Sequence, residues 1–151
     1  MAGGIGSRFW PLSTSKKPKQ FLDVLGIGKS LLRLTFERML NTVPKDQIYI
    51  LTNTTYLSLV LDQLPEISEK QVLCEPLRKN TAPCIAFAAA KILKINPQAT
   101  LIVTPSDHLI LNQTRFNEII QTAIKVANES QQLVTLGIFP TRPDTGYGYI
   151  E

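Results

Sequence analysis

Short apolar runs rich in β-branched residues alternate with longer stretches of helical periodicity along this chain, and that alternation leaves few folds open. The runs 47–52 (QIYILT), 71–75 (QVLCE), 100–104 (TLIVT) and 133–138 (LVTLGI) read as strands. Each is nearly continuous in its apolar character, as parallel strands covered on both faces are. Between them lie helical patterns. In 30–43 the apolar positions Leu32, Phe36, Met39, Leu40 and Val43 recur at helical spacing, with Ser30 placed to cap. Residues 80–93 open on cap-type residues, carry Pro83 in the first turn and then run almost wholly apolar, which predicts a buried helix. In 115–128 the stripe is Phe116, Ile119, Ile120, Ala123 and Ala127, and a weaker helix is expected over 55–64. Strand–helix alternation of this kind implies right-handed crossovers and a mainly parallel, three-layer α/β sheet.

The bulk properties narrow the function classes. The chain has 151 residues, 44% hydrophobic and 19% charged, which suits one globular domain with a core of its own. No apolar run approaches the ~20 residues of a membrane-spanning helix, and no basic-then-apolar leader precedes a small-residue cleavage site. Cys74 and Cys84 have neither metal-ligand spacing nor the density of a disulfide scaffold, so two reduced thiols in a cytoplasmic protein are expected. The net charge is +4, and Arg8, Lys16, Lys17 and Lys19 all precede the first acid, Asp23. Such an excess suits an anionic ligand, though a solvated basic face has the same composition. A nucleic-acid partner is not indicated, because aromatics are not interleaved with the basic residues.

Four segments carry candidate chemistry. The first is GGIGSRFWPLSTSKKPKQF at the N-terminus. Gly3, Gly4 and Gly6 permit positive φ and a close backbone approach, turning N–H groups toward phosphate oxygens. Arg8 adds a planar fork of donors and Lys19 a mobile point charge. The spacing is neither that of a P-loop nor that of a dinucleotide fingerprint, since Arg8 stands where the third glycine belongs. On these residues alone a tight turn beside a basic patch fits as well. Trp10, Pro11 and Leu12 read as a hydrophobic anchor for the loop. The second segment, EPLRKNTAPC (75–84), joins a strand to a helix N-terminus, where open α/β sheets place ligands. Asn80 and Thr81 suit either helix capping or ligand contact.

The third segment, PSDH (105–108), follows an apolar strand, so Asp107 stands at the mouth of the sheet. Magnesium typically takes one or two such carboxylates together with phosphate oxygens and water. His108, the one histidine, reads as a hydrogen-bonded loop residue rather than a general base, because transfer from a triphosphate needs charge neutralisation and alignment. The fourth, TRPDTGYGYIE (141–151), alternates glycine with tyrosine, as in a hairpin or strand whose backbone nears a ligand.

In this order the four motifs resemble the mannose-1-phosphate guanylyltransferase family, over nearly the whole chain. GGIGSRFWPLS with PKQF is similar to its triphosphate-binding signature, EPLRKNTAPC to its E-P-x-x-(R/K)-N-T-A-P block, PSDH to its metal-binding turn and TRPDTGYGYIE to its sugar-site segment. The resemblance implies a Rossmann-like nucleotidyltransferase fold and the reaction of GTP with mannose 1-phosphate to GDP-mannose and pyrophosphate. It implies that Gly3, Gly4, Gly6, Ser7 and Arg8 hold the triphosphate and that Lys19 neutralises charge near the α-phosphate. It further implies that Asp107 ligates Mg²⁺, that Asn80 and Thr81 lie near the nucleoside or sugar, and that Gly146 and Glu151 stand beside the mannose. Arg8, Lys19 and Asp107 are thus the expected catalytic residues.

Another base or sugar 1-phosphate, or a non-catalytic nucleotide-sensing module, are the alternatives. A nicotinamide enzyme is disfavoured, because residues 51–53 lack an acid for the ribose. Self-association is left open. Only Met1 and Ala2 precede Gly3, and the chain stops inside the glycine–tyrosine run. Both ends therefore predict a piece of a longer protein: the nucleotide-binding part of a domain, inactive or nearly so in isolation, with a poorly ordered loop at 3–8. Family members carry a second metal-binding Asp and a sugar-phosphate Lys beyond the span covered here.

Overall fold

The computed structural model describes the chain apart from residues 5–8, 78, 131, 147, 150 and 151. Two parallel strands form its centre, β1 (Ile50–Asn53) and β2 (Val72–Glu75), in the register Ile50↔Val72 to Asn53↔Glu75. Because side chains alternate along a strand, the two faces recruit different partners. Ile50 and Val72 point into the larger core, with Leu32, Phe36 and Met39 of α1 (Leu31–Leu40) and Val60 of α2 (Leu57–Gln63). Leu51 and Leu73 face the other way, against Cys84 and Ala88 of α3 (Thr81–Leu93). A fourth helix, α4 (Gln113–Ser130), brings Phe116 against the larger core, on the α1 side. Helices on both faces of a parallel sheet make the three-layer α/β arrangement, here incomplete.

The helix ends follow local chemistry. Ser30 caps α1, its Oγ accepting the Arg33 N–H at 3.1 Å. The long apolar pattern of α3 does form a helix, yet only Cys84 and Ala88 are buried, which corrects the expectation of a fully buried helix. Its outer face carries the small residues Ala82, Ala86 and Ala90, which have little apolar surface to hide. In α4 the inward stripe holds Phe116 and Ile120, while Ile119 is exposed and Ile124 half-buried.

Two further corrections concern strands. Neither 100–104 nor 133–138 forms a strand. The first is nonetheless held in line with the sheet. The Met1 ammonium donates to Thr104 O at 2.9 Å and Ser106 N–H donates to Met1 O at 3.1 Å, two bonds straddling Pro105 as in a parallel pair. On the other side Ala2 N–H donates to Leu51 O at 2.6 Å. Met1–Ala2 therefore lies between β1 and residues 104–106. Among the described residues no strand pairs with 133–138, and Leu133 and Ile138 are fully or largely exposed, at 102% and 82%. A strand is a paired object, so apolar character without a partner leaves extended chain.

Candidate functional site

The site is built where three chain segments meet at the C-terminal end of β1. Ala2 leads into Gly3 and Gly4; the one-turn helix Lys19–Phe21 packs beside them; and the loop 105–108 arrives from the far side. The junction is held by buried polar side chains, none of which stood out in the sequence. Gln20 Nε2 donates to Ala2 O at 2.7 Å and to Gly4 O at 2.9 Å. Thr52 Oγ1 donates to Ala2 O at 3.3 Å. Ser106 Oγ donates to Met1 O at 2.7 Å, and the Ser106 carbonyl accepts from Thr35 Oγ1 of α1 at 3.4 Å. Buried carbonyls need such partners. A polar residue with that duty has no periodic signature, which is why sequence reasoning missed Gln20, Thr52 and Ser106.

These anchors deliver charge to one place. Lys19 and Asp107, each next in sequence to an anchor, form an ion pair with Nζ–Oδ2 at 3.5 Å, both side chains half-exposed. Lys19 Nζ also lies 5.4 Å from the centre of the Phe9 ring. A pair with this exposure contributes no more than about 1 kcal/mol of stability. Among the described residues no cluster of three or more His, Cys, Asp or Glu forms a closed metal site. A single open carboxylate fits a hydrated magnesium ion that takes its other ligands from phosphate and water. His108 is exposed beside it.

The glycine stem needs a correction. Among the described glycines only Gly26 (φ 68°) and Gly28 (φ 79°) have positive φ, so Gly3 and Gly4 do not use that freedom. Gly26 and Gly28 serve a separate loop, clasped where Asp23 accepts the N–H groups of Ile27 and Gly28 at 3.1 and 2.6 Å. What Gly3 and Gly4 supply is room. A Cβ at Gly3 would make ordinary contacts with Glu75 Oε2 (3.6 Å) and Thr52 Cα (3.9 Å), and at Gly4 it would meet nothing within 4 Å. Gly6, Ser7 and Arg8 lie outside the described residues. Trp10 and Leu12 are 77% and 70% exposed, so they do not anchor the loop. That work falls to Phe21, 1% exposed, and to the Gln20 amide.

The strand-to-helix loop after β2 holds a strained residue. Asn80 precedes α3 with φ 66° and ψ −163°, a region that residues other than glycine rarely enter, and its side chain makes no capping hydrogen bond. Capping is thus not its role. Thr81 is the first residue of α3 and is exposed. At the end of β2, Glu75 is buried and lies near both Gly3 and Cys84. Burial first, and the Glu75 carboxylate second, push the Cys84 thiol up to about 11 from an ordinary 9.0. Modification of Cys84 by a thiolate-selective reagent is therefore expected to inflect near pH 11 rather than near pH 9, and Glu75→Gln to move the inflection down. Rates against pH, with Cys84→Ala as the blank, check this.

Gly146 sits in a turn of its own. Its N–H donates to Asp144 Oδ1 at 2.9 Å, and Tyr149 Oη both accepts from Asp144 N–H (2.6 Å) and donates to Asp144 O (3.0 Å). These bonds close a turn, and among the described residues none of them reaches Lys19, Asp107 or the glycine stem; the expected strand or hairpin runs through Tyr147, Ile150 and Glu151, which lie outside the described residues. Glu151 lies outside the described residues. No helix among them is long and apolar enough to cross a membrane.

The sequence model of the Nucleotidyl transferase family matches residues 1–151. Among characterised proteins, the chain is 46% identical to the mannose-1-phosphate guanylyltransferase of Salmonella montevideo, over 99% of this chain and 31% of that protein. It is 42% identical to mannose-1-phosphate guanylyltransferase 2 of Escherichia coli O157:H7, over 100% of this chain and 32% of that protein. The chain thus spans about a third of the length of these relatives. Among solved structures it is similar to one described as a mannose-1-phosphate geranyltransferase from Thermus thermophilus, with TM-score 0.74 and 33% identity over 85% of this chain and 37% of that one. A structure described as a mannose-6-phosphate isomerase from Helicobacter pylori matches with TM-score 0.60 and 38% identity, over 74% of this chain and 43% of that one.

Proposed function

Because the chain belongs to the nucleotidyl transferase family, we propose that it carries the nucleotide half of a site transferring GMP from GTP to mannose 1-phosphate, with GDP-mannose and pyrophosphate as products. The observation that carries this reading is the Lys19–Asp107 pair, set against a glycine stem with open space at Gly4. Each member of the pair has a better partner in a magnesium-bound triphosphate: the ammonium on a phosphate oxygen, the carboxylate on the cation. An ion pair that such a ligand divides between its own charges is a site at rest.

The reaction needs no covalent enzyme intermediate. An oxygen of the sugar phosphate attacks the α-phosphorus in line, the bond to the β-phosphate oxygen breaks, and pyrophosphate leaves with the electron pair. The protein contributes alignment and charge. Gly3, Gly4, Gly6, Ser7 and Arg8 are assigned to the triphosphate, and Lys19 to neutralising charge growing near the α-phosphate. Asp107 would hold magnesium, which when bound would offset the phosphate charge. Asn80 and Thr81 are assigned to the nucleoside or sugar, and Gly146 and Glu151 to the mannose. The proposed setting is cytoplasmic.

Asn80 permits a separation of roles. Asn80→Gly removes the amide and relieves about 1–3 kcal/mol of backbone strain at φ 66°, whereas Asn80→Ala removes the amide and keeps that strain. Both variants are expected to lower kcat/KM for GTP about tenfold, the loss of one good hydrogen bond. Only the glycine variant raises the melting temperature. Full activity in Asn80→Gly returns the residue to a backbone role.

The reading is tested by pyrophosphate release from the native polypeptide with GTP, mannose 1-phosphate and Mg²⁺, with UTP, dTTP and ATP as competitors. Release that depends on mannose 1-phosphate and prefers GTP supports it. No release with any sugar 1-phosphate refutes it, and tight GTP binding without release points to a sensor instead.

A further inference from the structure

Gln20 joins two groups that act on the same triphosphate. It is 4% exposed, and both hydrogens of its amide are used, one on Ala2 O and one on Gly4 O, so the residues on either side of Gly3 are clamped together. Its own backbone is fixed within the turn Lys19–Phe21, where Phe21 N–H donates to Pro18 O at 2.9 Å and Leu22 N–H to Lys19 O at 3.1 Å. Phe21, 1% exposed, seats that turn in the core. The Lys19 backbone is therefore tied to the glycine stem through the two amide bonds. A glutamate here would face two carbonyl oxygens with acceptors only, a methionine would leave them without a donor, and an asparagine is one methylene short.

We propose that Gln20 is a positioning residue that sets Lys19 in register with the backbone of Gly3 and Gly4, so that both grip one nucleoside triphosphate at once. The inference rests on the nucleotide-site reading above. Two contact points on one polyphosphate must hold their separation as charge moves along it, and a displacement of about 1 Å costs up to about 100-fold in rate.

The test is a double-mutant cycle in the native polypeptide: Gln20→Met, Lys19→Met and the pair. Gln20→Met is expected to lower kcat about 30- to 100-fold with the KM for mannose 1-phosphate within about twofold. The double variant should be no more than about threefold below Lys19→Met alone, because the amide acts through the lysine. Losses that multiply in the double variant, or an unchanged kcat in Gln20→Met, overturn the proposal. Should Gln20→Met fail to fold, the same cycle is read with Gln20→Asn, and the same two outcomes decide. Should the wild type turn over no sugar 1-phosphate, the transferase reading fails on its own. The cycle is then read from GTP·Mg²⁺ affinity by titration, where coupled losses uphold the role of Gln20 and multiplying losses remove it.

Discussion

Asp107→Asn in the native polypeptide is expected to lower kcat by about 10²- to 10³-fold at saturating GTP and mannose 1-phosphate. The substitution keeps the shape of the side chain and removes only its charge, the property a magnesium ion needs from this position. The loop that carries Asp107 is held by Ser106, whose N–H and Oγ both bond Met1 O and whose carbonyl accepts from Thr35, so the variant should keep its local fold. Raising Mg²⁺ should recover part of the loss if the carboxylate is a metal ligand. A turnover within about threefold of wild type would remove Asp107 from the catalytic machinery.

The second large effect is expected at Lys19. Lys19→Met should reduce kcat/KM for GTP by about 10²- to 10³-fold, since one positioned charge on a transferring phosphate has that weight in a site shielded from water. Lys19→Arg should recover only part, because the planar guanidinium places its charge differently from a compact ammonium. Neither change threatens the fold. The pair with Asp107 is half-exposed, and pairs of this kind add no more than about 1 kcal/mol. Circular dichroism and melting curves checked beside the kinetics would show this. A Lys19→Met enzyme with near-normal kcat/KM would mean that the ammonium serves Asp107 alone.

The alternation of strand and helix patterns was enough to read the layer order from the residues. Ile50 and Leu51 do face opposite helical layers, as a strand covered on both sides requires. The extended runs 100–104 and 133–138 show where that reading stops. Their composition is that of strands, but pairing depends on a neighbour at the right distance, and composition carries no information about the neighbour. Of the candidate site, Lys19 and Asp107 were legible from charge type and from their places beside a glycine loop and a strand end, and the fold brings them together across 88 residues of sequence.

The supporting residues were not legible. Gln20, Thr52 and Ser106 are ordinary polar letters until the backbone shows that each faces an otherwise unpaired carbonyl. Asn80 was legible only in part. Its type suited a cap, and the backbone, at φ 66° with no capping bond, argues for another use. Trp10 was misread because a large apolar side chain beside a loop suggests an anchor, whereas Phe21 holds that place in the core.

The central claim is that the glycine stem, the Lys19 turn and the Asp107 loop are three walls of one triphosphate site. Backbone hydrogen exchange of the native polypeptide, with and without GTP and Mg²⁺, tests it most directly. The prediction is joint protection of 3–8, 19–22 and 106–108, at the same GTP concentration and dependent on the triphosphate rather than on GMP. Protection in one of these segments without the others, or in none at saturating GTP, would contradict it.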